Sequence, residues 1–191
     1  MALYAYSLDN DLRAVAAMAA GLVPYIYEDE LYGPMPGSLP RLTVGGLLMR
    51  LQRLHALDQS LTDEQRQIVL TAQAQTDKAR TDWAVAFEGK VTRELLARLR
   101  ALGQLITDCA DVRVCSESYP SEIEKRVMVA QLQTEAQSAN VFSPEAEKQI
   151  ANVDSRLKQF TKPGDFLWDA RLEVAYPKAS YWYLYVSVGR R

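Results

Sequence analysis

The sequence predicts a mainly α-helical, single-domain protein: a bundle of five to six helices with a small C-terminal antiparallel β-hairpin. In the helical body, about residues 8–160, apolar residues recur every three or four positions. Near the C-terminus, about residues 170–188, the apolar period changes to two, as in strands. The composition, 48% hydrophobic and 24% charged, is ordinary for a folded globular protein. A chain of 191 residues is the size of one domain, so we assign residues 1–191 to a single domain.

The first two predicted helices flank a loop rich in proline and glycine. Ser7 or Asp9 can cap the first helix, and we expect Pro24 to end it because proline lacks an amide hydrogen. Residues 28–40 contain three prolines and two glycines, which predict a stiff surface loop. The second helix follows Thr43. Its apolar residues are spaced by three and four: Val44, Leu47, Leu48, Leu51 and Leu54.

The region 62–108 predicts either one bent helix or two helices. Thr62 and Gln65 have the spacing of a capping box, which marks a helix start. Gly89 suits a helix end or a kink. The apolar positions before it are Ile68, Ala72, Ala79, Trp83 and Phe87. Those after it are Val91, Leu95, Leu99, Leu102 and Ile106.

Two further helices complete the predicted bundle. Ser121 and Glu124 form a second capping-box pattern, and Pro120 prevents the helix from extending backwards. This helix has apolar residues on two sides, so we expect it in the middle of the bundle. The last helix begins at Ser143, which Pro144 follows as a first-turn proline. Its apolar stripe is Ala146, Ile150, Val153, Leu157 and Phe160.

The predicted hairpin joins residues 170–176 and 181–188 through a turn at 177–180. An isolated hairpin is only marginally stable in water, so it needs a third strand or a helix to pack on. Of the ten tyrosines, all but Tyr119 lie in the first 32 residues or from residue 176 onward. We therefore expect the two chain ends to meet, with residues 2–6 or 22–27 adding a strand to the hairpin.

Charge and cysteine content exclude several classes of partner and cofactor. With 22 Lys and Arg against 24 Asp and Glu, a net charge of -2 gives no general attraction to nucleic acid. The longest uncharged stretch, residues 14–27, is too short to span a bilayer, so no membrane partner is expected. With one histidine in the chain, no metal site or cofactor is expected. We interpret Cys109 and Cys115 as reduced thiols of a cytoplasmic protein, with one disulfide between them as the alternative.

The favoured function is a non-enzymatic interaction or adaptor module that binds a partner protein or a second copy of itself. In an extended strand Tyr181, Tyr183 and Tyr185 share one face, and an exposed tyrosine row is typical of a binding surface. Tyr27 and Tyr32 lie in the segment expected beside it. The alternative is that these tyrosines pack against the N-terminal segment of the same chain.

A nucleic-acid-associated protein is the first alternative function. No acidic residue lies between Glu30 and Asp58, while arginines are present there and in the fourth helical segment. The arginines that would contact phosphates are Arg50, Arg53, Arg93 and Arg100. If these side chains are instead spread over a solvated face, they serve only to keep the helices hydrated.

An enzyme is the second alternative, although the sequence contains no phosphate-binding loop, dinucleotide-binding glycine pattern or hydrolase motif. The one catalytic pair that the composition permits is His55 with Cys109 or Cys115. The adjacent acids Glu28, Asp29 and Glu30 lack the alternating spacing of a calcium loop, so we interpret them as a solvated loop.

Overall fold

A computed structural model describes residues 5–189 of the chain, and these residues are 72% helical. Within them lie seven α-helices: α1 (Leu8–Tyr27), α2 (Val44–Ala56), α3 (Asp63–Asp82), α4 (Ala84–Asp108), α5 (Val112–Glu122), α6 (Glu124–Ser138) and α7 (Pro144–Phe160). They also contain two short strands, β1 (Thr161–Pro163) and β2 (Val186–Val188). The remaining regular elements are short 3-10 helices at Asp58–Ser60, Ala170–Ala175 and Trp182–Leu184. The predicted mainly α-helical fold is confirmed.

Four of the predicted helix starts are confirmed by their capping hydrogen bonds. The hydroxyls of Ser7, Thr43 and Ser143 accept hydrogen bonds from amides three residues ahead, at the starts of α1, α2 and α7. At the start of α3, Thr62 and Gln65 form the full capping box, with both reciprocal hydrogen bonds present. These helix starts were predictable because the cap and its partner are close in sequence.

The expected helix end at Pro24 is wrong, and Gly89 does not end a helix either. Helix α1 continues past Pro24 to Tyr27, and buried residues on both sides of the proline, Leu22 and Ile26 among them, hold the helix in place. The region 62–108 forms two helices, but the break is at Trp83, whose φ of -128° is not helical. Gly89 lies inside α4.

The second predicted capping box does not form. Ser121 lies inside α5, where its hydroxyl donates to the carbonyl of Ser118, and α6 begins only after Ile123. Helix α5, which the sequence reasoning missed, also contains Pro120 and is capped by Asp111. Its sequence has few apolar residues, so the periodicity that revealed the other helices is weak here.

Helix α6 is packed between α2 and α4, but the predicted middle position belongs to α4, which contacts every other helix. Helix α1 packs against α2 and α3, and α7 packs against α4. The most buried side chains of α6 are Val127, Val129 and Leu132, each 0% exposed. The buried residues of all seven helices form one contiguous core.

A small C-terminal antiparallel sheet is present, but its strands differ from the predicted hairpin. Strand β2 pairs with β1, which directly follows α7, so that Thr161 faces Val188 and Pro163 faces Val186. The predicted strand 170–176 is mostly a 3-10 helix, and so is part of 181–188. In a 3-10 helix, residues three apart lie on the same side, which buries Leu172 together with Ala175.

The two chain ends meet, as expected. The amide of Tyr6 donates to the carboxylate of Asp169 at 3.1 Å, and Arg171 donates to the carbonyl of Tyr6 at 2.7 Å. No third strand forms within residues 5–189, because residues 22–27 belong to α1 and Tyr6 is not in a strand. Residues 2–4 lie outside the described part of the chain.

Candidate functional site

The predicted row of exposed tyrosines does not exist. Tyr181, Tyr183 and Tyr185 are 8%, 0% and 7% exposed, and they lie in an irregular segment that includes a 3-10 helix, so they share no strand face. Tyr181 accepts hydrogen bonds from Gln52 and Gln131, which anchors it to α2 and α6. The predicted partner surface is therefore wrong for these three side chains, which belong to the core.

A chain of aromatic contacts explains why the tyrosines are buried. Each ring meets the next edge to face, with centroids 5.0–6.1 Å apart, in the order Trp168, Tyr176, Tyr181 and Tyr183. Burial raises the pKa of the Tyr176 and Tyr183 hydroxyls, so both stay neutral. Each hydroxyl reaches a buried polar partner, and together they fix the C-terminal segment to the helices.

Arg50 and Arg53, predicted to contact phosphates, are also buried. Arg50 Nε lies 3.2 Å from Asp11 Oδ1, and Arg53 Nη2 donates to Glu124 Oε1 at 3.2 Å. We call Asp11, Arg50, Arg53 and Glu124 the ion cluster. The two arginines are 9% and 7% exposed, so they form ion pairs inside the protein and are too buried to bind a nucleic acid.

Two basic side chains of α4 contact the acidic loop of the same chain, which consists of Glu28, Asp29 and Glu30. Lys90 Nζ donates to the carbonyls of Glu28 and Glu30, at 2.6 Å each, and Arg93 lies 3.8 Å from the Asp29 carboxylate. Arg100 is exposed on α4. Since Arg50 and Arg53 are interior, the four predicted arginines do not form one phosphate-binding surface.

The Cys–His pair considered for catalysis is not assembled. Cys109 and Cys115 form a disulfide between the end of α4 and the first turn of α5, so the interpretation as reduced thiols is wrong for this structure. His55 Nε2 is 3.0 Å from the amide oxygen of Gln73 on α3. With both sulfurs in the disulfide, neither cysteine is available as a nucleophile.

Tyr27 and Tyr32, the other two predicted binding residues, are on the surface. Tyr27 is 63% exposed and Tyr32 is 43% exposed, with Arg98 5.4 Å from the Tyr32 ring. Tyr27 lines an open groove between the end of α1, the start of α4 and the loop before α7. The residues that line this Tyr27 groove are Ile26, Tyr27, Val85, Ala86, Glu88, Gly89, Thr92, Arg93 and Val141.

A smaller apolar recess adjoins the Tyr27 groove. Glu88 and Val141 line both, and the recess has a volume of about 210 Å³. Arg80 closes one side of it through two hydrogen bonds to Glu135, at 2.8 and 2.9 Å. Val85, which lines the Tyr27 groove, is 85% exposed. Val85 was not among the predicted site residues, because the position of Val85 depends on the helix break at Trp83.

A second concave site lies where the N-terminal segment, the α5–α6 junction and the 3-10 helix Ala170–Ala175 meet. This Asp11 pocket has a volume of about 300 Å³. Its lining residues are Ala5, Tyr6, Ser7, Asn10, Asp11, Arg53, Pro120, Ser121, Glu124, Trp168, Asp169 and Leu172. The pocket therefore contains three members of the ion cluster. One signal in the sequence could have pointed to it: Asp11 is an acid on the apolar face of α1, one turn before Val15.

Burial and the surrounding charges act on Asp11 in opposite directions. Burial raises the pKa of its carboxyl group above the ordinary value, while Arg53 and Arg50 lower it, and the burial effect is the larger. Tyr6, beside it, has a raised pKa because of burial and the negative charge of Asp11. The Tyr6 hydroxyl therefore stays protonated and can donate a hydrogen bond.

Within residues 5–189, none of the helices has the length and apolar character needed to cross a membrane.

No protein-family model, curated protein or solved structure matches this chain.

Proposed function

We propose that the protein is a non-enzymatic interaction module that associates with a second copy of itself through the Tyr27 groove. The observation that supports this most directly is the exposure of two large apolar side chains, Val85 at 85% and Tyr27 at 63%, in one groove. Exposing such side chains to water is unfavourable, and contiguous exposed apolar surface is typical of protein contacts.

The charges around the groove favour a second copy over an unlike partner. A two-fold symmetric contact uses the same surface on both chains, so that surface must be self-complementary. The rim of the groove carries Arg93, which is 48% exposed on its side chain, and also Glu88. The exposed acidic loop at Glu28 and Asp29 is adjacent, with Asp29 fully exposed. In a symmetric contact, Arg93 can exchange its partner Asp29, 3.8 Å away in the same chain, for the acidic loop of the second copy.

Light scattering on a sizing column, over a range of protein concentrations, tests the proposal. We expect the mass to rise from 21.5 kDa toward twice that value as the concentration increases. Val85→Glu places a charge in the apolar contact and should keep the protein monomeric. A mass of 21.5 kDa at every concentration would rule out self-association through this groove.

A matched control separates a specific effect from a general effect of charge. Val174 is 63% exposed in the 3-10 helix Ala170–Ala175, and it lines a different surface depression, beside His55. Val174→Glu should therefore leave the concentration dependence of the mass unchanged. If both variants abolish association equally, the contact does not involve the Tyr27 groove in particular.

A cytoplasmic location, expected from the sequence, is a separate part of the proposal. Disulfides are rare in the reducing cytosol, so the Cys109–Cys115 bond and a cytoplasmic location oppose each other. Alkylation of cysteines in a cell lysate, before and after reduction, distinguishes the two cases. Two thiols that react before reduction support the cytoplasmic location, and two that react only after reduction contradict it.

A further inference from the structure

A further pocket lies where the end of α7, strand β1 and the C-terminal segment meet. It has a volume of about 290 Å³. We call it the lysine pocket, because Lys158, Lys162 and Lys178 all line it. These lysines belong to three separate parts of the fold: α7, β1 and the turn after the 3-10 helix Ala170–Ala175. Their charges therefore come together only in the folded chain.

Among residues 5–189, no carboxylate lines the lysine pocket, and none of its three lysines takes part in an ion pair. Asp154, one turn before Lys158 on α7, is instead bonded to Arg126 Nε and Nη2 at 2.7 and 2.8 Å. Glu173, whose negative charge acts on the Tyr185 hydroxyl, is exposed and lies outside the lining. The other lining residues are uncharged: Thr161, Pro163, Trp182, Tyr185 and Val186.

Two aromatic rings position two of the ammonium groups. Lys158 Nζ lies 4.9 Å from the centroid of the Trp182 ring, and Lys178 Nζ lies 5.6 Å from that of the Tyr185 ring. The two rings are neighbours, because the Tyr185 amide donates to the Trp182 carbonyl at 3.0 Å across the turn of a 3-10 helix. Tyr185 is fixed in turn, since its hydroxyl donates to the Tyr176 carbonyl at 2.7 Å. A ring attracts a cation through its face and uses none of the three N–H donors of an ammonium for a hydrogen bond to an oxygen.

Three positive charges around one concave site favour an anion with more than one negative charge. Like charges repel each other, and an anion between them replaces that repulsion by attraction. Lysine binds phosphate as a point charge, and a phosphate group carries about two negative charges and several acceptor oxygens near neutral pH. A carboxylate carries one charge only. A volume of about 290 Å³ is at the lower end for small-molecule sites, so the ligand is small.

We propose that the lysine pocket binds a small soluble phosphate compound that carries two or more negative charges, with Lys158, Lys162 and Lys178 donating to its oxygens. The Thr161 hydroxyl is not a ligand, because it is buried and donates to the Leu157 carbonyl at 3.0 Å. This assignment is independent of self-association, because the lysine pocket shares no lining residue with the Tyr27 groove.

Three anions of decreasing charge test the chemistry: pyrophosphate, inorganic phosphate and acetate. The full chain is titrated at constant ionic strength, and the NMR signal of the Trp182 indole N–H reports on the pocket that this residue lines. The indole signal of Trp83, at the break between α3 and α4, is the internal control. We expect saturable binding of pyrophosphate with a Kd on the order of 1 mM. Phosphate should bind about threefold more weakly or less tightly still, and acetate at least about tenfold more weakly, because the attraction falls with the charge of the anion. Absence of saturable pyrophosphate binding, acetate binding as tight as that of pyrophosphate, or an equal shift of the Trp83 signal would overturn the proposal.

Variants of single lysines locate the binding groups. Lys158→Gln and Lys178→Gln each remove one charge from an exposed side chain, and each should weaken pyrophosphate binding by about fivefold. Lys148→Gln is the matched control, because Lys148 is also an exposed lysine on α7 but does not line the lysine pocket. It should leave the affinity unchanged. If Lys148→Gln weakens binding as much as Lys158→Gln does, the affinity reflects the overall charge of the protein and the assignment is wrong.

The Val85→Glu variant connects this test to that of self-association. It should bind pyrophosphate with the affinity of the wild type, since Val85 does not line the lysine pocket. Lys158→Gln should in turn leave the concentration dependence of the mass unchanged. Failure of one proposal is therefore distinguishable from failure of the other.

Discussion

The amide of Gly45, in the first turn of α2, donates a hydrogen bond to the carboxylate of Glu94 on α4 at 3.0 Å. Glu94 is 0% exposed, and its other oxygen accepts from Arg98 Nε and Nη2 at 3.2 and 3.1 Å. The negative charge thus lies at the N-terminus of α2, where unpaired amides and the helix dipole favour it. This contact requires close approach, and a residue without a side chain makes the approach possible.

Gly45→Ala should destabilise the protein by about 2 kcal/mol, since overpacking a buried site costs more than the gain in helix propensity. A Cβ at Gly45 would lie 2.8 Å from Glu94 Oε1 and 3.1 Å from both Met128 and Leu132. Glu94 cannot move without disturbing its ion pair with Arg98. The free energy of unfolding, measured with urea, checks this expectation.

Gly103→Ala is the matched control for that variant and has the opposite expected sign. Gly103 also lies in a helix, but a Cβ there would meet no atom within 4 Å. Replacing an unhindered helical glycine by alanine should stabilise the protein by up to about 1 kcal/mol. If Gly45→Ala is as stable as Gly103→Ala, α2 and α4 do not pack closely at Gly45.

Tyr176→Phe should cost about 1–3 kcal/mol, because it leaves the Nε donor of the buried Arg53 without its hydroxyl partner. Tyr183→Phe is the comparison. The Tyr183 hydroxyl makes a longer hydrogen bond of 3.4 Å to the carbonyl of Arg126, so its loss should cost less. Equal destabilisation of the two variants, measured by thermal or urea unfolding, would show that the hydrogen bond to Arg53 contributes no more to stability than the hydrogen bond to the Arg126 carbonyl.

Asp11 and Asp169 should affect stability in opposite ways as the pH changes. Burial raises the native pKa of Asp11 above its ordinary value of 3.8, so the folded state binds this proton more tightly than the unfolded state. The contribution of Asp11 is thus most favourable below pH 3.8 and declines as the pH rises through the native pKa. Arg171 lowers the pKa of Asp169, whose contribution is present above pH 3.8 and is lost as the pH falls toward the native pKa.

The pH dependence is measured as a difference between wild type and each asparagine variant. From about pH 4 to pH 7, the stability of wild type relative to Asp11→Asn should decrease as the pH rises. Relative to Asp169→Asn, the stability of wild type should stay level over that range and decrease as the pH falls below 3.8. The same slope in both comparisons would show that Asp11 is not desolvated in the folded protein.

The Cys109–Cys115 disulfide should contribute about 2 kcal/mol, the value expected from closing a short loop in the unfolded chain. The measurement is urea unfolding with and without a reducing agent. A Cys109→Ser/Cys115→Ser double variant should show the lower stability in both conditions, which controls for other effects of the reductant. A thiol assay in denaturant should detect no thiols before reduction and two after it.

Local interactions account for the parts of the fold that were predictable. Thr62 and Gln65 lie in the same helical turn, so their capping box is readable from sequence, and so is the cap at Ser143. The breaks were not predictable, because packing decided them. Buried residues on both sides of Pro24 keep α1 continuous. Glycine suits a helix end, but Gly89 lies inside α4.

The sites were less predictable than the helices. Alternating tyrosines near residues 181–185 satisfy a strand pattern, yet the segment includes a 3-10 helix whose rings are buried one against another. Of the five tyrosines predicted to bind a partner, Tyr27 alone lines the Tyr27 groove, together with Arg93 from the predicted phosphate-binding set. The residues that complete the two concave sites, Val85 and Trp168 among them, come from distant parts of the chain, and sequence periodicity does not reveal such proximity.

By itself the sequence determined that this chain forms a helical bundle, since apolar stripes and caps act within a few residues of each other. Only the tertiary structure decided what the charged residues do. In the sequence, Arg50 and Arg53 resemble surface arginines. In the structure, Asp11 on α1 pairs with both of them and Glu124 on α6 pairs with Arg53, so their charge is compensated inside the protein. Burying a charge is tolerated only when partners from other elements arrive with it, and that condition is a property of the folded arrangement.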